Sequence, residues 1–182
     1  MAKIPKELEI EICNLPDIEK NKLLLKLIAK NDVLIDQLYF QLLGSETILK
    51  AEKEEIKKLI TKVAKMIHDT PGWMMMSMRE LNGKITYFVK KTKDKHGEIE
   101  LTLHLLNSFF DNQPNLLAHS SYRTETIEVY LIKRTQFVLE KLKKIHEDYH
   151  IEFEDDVNKL LKHIYNSCTV NEAKIQQIPK RF

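Results

Sequence analysis

The sequence predicts an all-α protein, and three observations carry that prediction. Only four Gly and five Pro occur in 182 residues, too few for the turns of a sandwich or a nucleotide-binding α/β domain. Apolar residues recur at three- and four-residue spacing through most of the chain, which places them on one helix face. Charged residues at 31% fill the intervening positions, beside 43% hydrophobic residues, a balance that supports a folded core rather than disorder. The expected architecture is about seven to eight helices in antiparallel αα-hairpins. They would form a stack or an irregular bundle around one long helix, 123–151, as a single domain over 1–170 with a C-terminal tail at 171–182.

The elements follow in order. Residues 4–15 read as a short helix, with Pro5 early and Pro16 ending it. A second helix covers 17–29, with Leu23, Leu24, Leu27 and Ile28 as its stripe. Asn31 or Asp32 caps a third through Leu43, where Gly44 stops it and Ser45 caps the next. Residues 46–69 form a charged amphipathic helix with Ile56, Leu59, Ile60, Val63 and Ile67 inward. Thr70-Pro71 is a cap followed by a first-turn proline. From there Met74, Met78, Leu81, Ile85 and Phe88 carry a helix through Asn82-Gly83.

A rival β-hairpin exists around 93–97, because Ile99, Leu101, Leu103 and Leu105 alternate after a stretch rich in strand formers. Residues 111–115 are a loop. The featured helix 123–151 then presents Ile127, Leu131, Val138, Leu142, Ile145 and Tyr149, and 153–168 is the last helix.

The net charge of +2 creates no whole-molecule basic field. Two cysteines, Cys13 and Cys168, make no disulfide framework and point to a reducing, cytoplasmic setting. No apolar run reaches the roughly 20 residues of a membrane span. The first fifteen residues carry charges among their apolar positions, unlike a signal peptide.

Several residues bear on function. Trp73, Met75 and Met76 are interaction candidates, since thioether and indole side chains line adaptable surfaces. Lys90 and Lys91 lie in the basic stretch 84–95, where Tyr87 and Phe88 interleave. Cations for phosphates beside rings for bases make that stretch a nucleic-acid alternative. His146-Glu147-Asp148-Tyr149-His150 matches H-E-x-x-H, in which two histidines one helical turn apart hold zinc and the Glu serves as general base. With Glu172 of Asn171-Glu172 22 residues past His150, the motif resembles the gluzincin metalloproteases. That resemblance implies His146, His150 and Glu172 as zinc ligands and Glu147 as the catalytic base. The sequence departs from the family in the charged Asp148 and in lacking an upstream sheet.

The stretches KLLLKLIAKNDVLIDQLYFQLLG (22–44) and FVKKTKDKHGEIELTLHLL (88–106) read as helix, turn, helix. Through them the chain resembles HEAT-like helical repeats and small bacterial all-helical proteins. The lysine-, isoleucine- and asparagine-rich composition agrees with an AT-rich bacterial source. The resemblance implies an interaction role without catalytic residues. The favoured expectation is therefore a non-enzymatic scaffold that binds a protein partner and uses no cofactor.

Overall fold

A computed structural model describes residues 4–182. Every regular element among the described residues is helical. The chain divides between Gly44 and Ser45 into two compact units, where the sequence reading has a single domain over 1–170.

The first unit holds α1 (Lys6–Asn14), α2 (Asp17–Ile28) and α3 (Asp32–Leu43). Pro5 and Pro16 stand at the N-caps of α1 and α2, and Asn31 caps α3 by accepting the Leu34 N–H at 3.1 Å. α2 packs on α3. None of the three helices contains a buried residue, because about 40 residues are too few to close a core.

The second unit holds α4 (Glu46–Ala64), α5 (Pro71–Thr92), α6 (Lys95–Asn112), α7 (Pro114–Leu117), α8 (Glu125–Leu142), α9 (His150–Tyr165) and α10 (Val170–Ile175). A single 3-10 turn, Glu147–Tyr149, lies between α8 and α9. Ser45 and Thr70 accept the Ile48 and Trp73 N–H groups, as their positions predict. α5 runs unbroken through Asn82-Gly83. Where the rival hairpin would turn, Lys93 adopts φ 60° and ends α5, and Asp94 caps α6 by accepting the Gly97 N–H at 2.8 Å.

The unit is a bundle around α6, which packs against α4, α5, α8 and α9. Eleven of its 18 residues are buried, and a helix covered on every side needs no polar face. That explains the alternation of Ile99, Leu101, Leu103 and Leu105, all of which are buried.

The expectation of one long helix over 123–151 is corrected. α8 ends at Leu142, and the chain turns through 143–149 before α9 begins. At about 1.5 Å per residue, 29 residues would run roughly 44 Å beside an α6 of roughly 27 Å. The turn instead returns Phe153, Val157, Leu160 and Leu161 to the core as α9 packs on α6.

Of the two readings the sequence allows for 171–182, a frayed tail or a short docking segment, the structure has the second. Ala173 and Ile178 are buried, the Tyr165 hydroxyl donates to the Ile178 carbonyl, and the Phe182 N–H donates to Asn158 Oδ1 at 2.9 Å. Small and apolar side chains at these two positions fill space that the bundle leaves open.

Candidate functional site

The outer face of α5 gathers the exposed residues of the second unit that best suit recognition. Helical spacing puts Trp73, Met76, Glu80, Gly83, Tyr87 and Lys91 on one stripe. The opposite stripe, with Met74, Met78, Leu81, Ile85 and Phe88, enters the core. On the outer stripe Trp73 is 58% exposed, Met76 65% and Tyr87 44%. Indole and phenol rings give large contact areas at low rotamer cost, the flexible thioether adapts to a partner's shape, and aromatic residues and Met are enriched in interface cores.

Below this stripe, α4 and α5 leave an open groove of about 490 Å³. Ile56 and the Tyr87 ring supply its accessible apolar lining, Glu55, Glu80 and Lys84 its charged walls, and Lys91 is tied to Glu52 at one end by an ion pair. Gly83 also lines it, and a Cβ built there would meet nothing within 4 Å. A helix-interior glycine costs about 1 kcal/mol relative to alanine, and the fold around Gly83 gives nothing in return.

The sequence candidates divide on this surface. Trp73 and Met76 face outward, whereas Met75 turns into the core at 8% exposure. Lys91 lines the groove, and Lys90 is exposed on α5. The basic stretch 84–95 keeps Tyr87 accessible, but Phe88 is 3% exposed. One of the two rings invoked for base stacking is therefore a core residue.

The H-E-x-x-H residues do not share a helix. His146 caps the 3-10 turn, its Nδ1 accepting the Asp148 N–H at 3.3 Å, while His150 opens α9. His150 Nε2 donates to the Leu142 carbonyl at 2.9 Å and closes the end of α8. Both imidazoles thus satisfy backbone groups at helix ends. Glu172 lies on α10 and accepts from Gln176 at 3.0 Å. Among the described residues, no three His, Cys, Asp or Glu side chains form a group able to hold a metal ion.

Other polar clusters knit helices together. Glu100 of α6 bridges Lys53 and Lys57 of α4 at 2.8 and 2.6 Å. Burial alone would push the Glu100 carboxyl up, but the bonds and charges of the two lysines outweigh it and hold it below the usual range. His104 shares a 3.0 Å hydrogen bond with Thr61, and burial pushes its imidazole below the ordinary value. Cys168 is buried, and its thiol is pushed up to about 12 by burial and then by the Glu128 charge. Cys13 is a free, exposed thiol.

Sequence reasoning found Trp73 and Met76 by residue type and missed the groove. Its one legible signal is Asn82-Gly83 in the middle of a helix, a turn dipeptide where no turn occurs. Comparison of the chain with family models, with curated proteins and with solved structures finds no match.

Proposed function

We propose that the protein is a non-enzymatic helical interaction domain that binds a protein partner through the outer face of α5 and the α4–α5 groove. The observation that carries the reading is the stripe of exposed Trp73, Met76 and Tyr87 beside the open space at Gly83. The groove suits an amphipathic helix with one apolar anchor over Ile56 and Tyr87 and a basic residue near Glu55 and Glu80. No helix of the described residues is long and apolar enough to cross a membrane. The two free thiols favour a cytoplasmic site of action.

The test is photo-crosslinking in the native cell. A photoreactive phenylalanine analogue replaces Met76 or Tyr87, with exposed Lys58 of α4, outside the groove lining, as control. The reading requires one discrete adduct from both α5 positions and none from the control. No adduct from either position, or the same adducts from all three, would sink it.

A further inference from the structure

We propose that residues 4–44 form a self-association arm that pairs with the same arm of a second copy of this chain. This goes beyond the α5 face and does not depend on it.

The arm is apolar yet has no core. Twelve large apolar side chains between Ile4 and Leu43 lie exposed, among them Ile18 at 70%, Leu25 at 65%, Leu42 at 73% and Leu43 at 67%. A fully buried leucine or isoleucine side chain removes roughly 80 Å² of apolar surface from water. At these exposures the arm leaves on the order of 500 Å² uncovered. A stable interface buries about 800 Å² per partner, somewhat more than half of it apolar. The arm therefore carries enough apolar surface for one dimer interface.

Charge identifies the occupant. From Glu7 to Glu19 there are five carboxylates and no basic residue, and from Lys20 to Lys30 four lysines and no acidic residue. Within the arm, Lys20 meets Asp17 at 3.6 Å. No ion pair joins Glu9, Glu11, Lys22 or Lys26 to another described residue, and all four are exposed. A two-fold interface needs a surface complementary to itself. The acidic stretch followed by the basic stretch, together covering α1 and α2, meets that need when two arms run antiparallel, each acidic stretch beside the other's basic stretch. The apolar side chains interspersed along both stretches are then covered together.

The experiment measures mass in solution, by sedimentation equilibrium at micromolar concentration, for the full chain and two charge-reversed variants. Lys22→Glu/Lys26→Glu makes the arm predominantly acidic, and Glu9→Lys/Glu11→Lys makes it predominantly basic. The wild type is expected to dimerise. Each variant alone should self-associate at least about tenfold more weakly, because the opposite charges across the interface are lost and like charges meet at the substituted positions. Mixed one to one, the variants should recover a dimer. Far-UV circular dichroism checks that each remains helical. A monomeric wild type, variants that dimerise as well as the wild type, or a mixture that stays monomeric would each overturn the proposal. So would a wild type that binds phosphatidylserine–phosphatidylcholine vesicles while remaining monomeric.

Discussion

Two glycines on neighbouring helices show how local space sets the sign of a substitution. At Gly83 an added methyl meets nothing, so Gly83→Ala should stabilise the second unit by up to about 1 kcal/mol through helix propensity alone. At Gly97 the same methyl would lie 2.3 Å from Asp94 Oδ2, the side chain that caps α6. Gly97→Ala should therefore destabilise by about 1 kcal/mol as the cap is displaced. Urea unfolding of both variants checks the pair, and shifts of the same sign would refute the reading. Titration adds a second residue-scale expectation. Burial lowers His104 and, outweighing the nearby Asp111 carboxylate, His163 below the ordinary 6.5. Between the lowered and the ordinary value the unfolded chain binds more protons, so stability there rises with pH. The contribution is complete above about pH 6.5 and diminishes as pH falls below it. The urea midpoint of His104→Gln/His163→Gln should depend less on pH than that of the wild type between about pH 8 and about pH 5. An unchanged slope would show that the two imidazoles do not carry it.

At the scale of the element, α6 rather than the 123–151 stretch organises the second unit. Leu103 is fully buried at its centre, and Leu103→Ala should cost about 3–5 kcal/mol, read from thermal or urea unfolding. His150→Ala should cost about 1 kcal/mol, because the Leu142 carbonyl at the end of α8 loses its donor. A loss below a few tenths of a kcal/mol would mean water replaces the imidazole without penalty. Much of this level was legible. The caps at Asn31, Ser45 and Thr70 and the continuous α5 all stand where period and cap chemistry place them. The break after Leu142 was missed because no glycine or proline marks it. Charge order was the readable sign: Lys141, Lys143 and Lys144 complement a helix C-terminus, and Glu147, Asp148 and Glu152 the N-terminus that follows. The primacy of α6 was hidden for another reason. A helix buried on all sides shows no single stripe, so its letters fit a strand as well as a helix. The α4–α5 groove depends on how two helices meet, and nothing within either segment specifies that meeting.

The whole molecule divides its tasks along the chain. Among the described residues, every buried apolar residue lies between Ile60 and Ile178, so the second unit closes its core with its own residues. The described residues of the first unit contribute none and keep most of their leucines and isoleucines exposed. Residues of that kind persist in a folded chain without aggregation when something covers them, and the two proposed surfaces assign the coverings differently. The arm covers itself with a second arm, while the α5 face receives a different protein. Deleting residues 1–44 separates the two. The remaining 45–182 fragment should unfold cooperatively with a denaturant slope in proportion to its own buried surface, and within a few degrees of the full chain's thermal midpoint. It should also sediment as a monomer and retain the crosslink from Met76. Loss of cooperative unfolding would show that the core drawn from residues 60–178 does not suffice. A fragment that still dimerises would move the self-association surface out of the arm and onto the bundle.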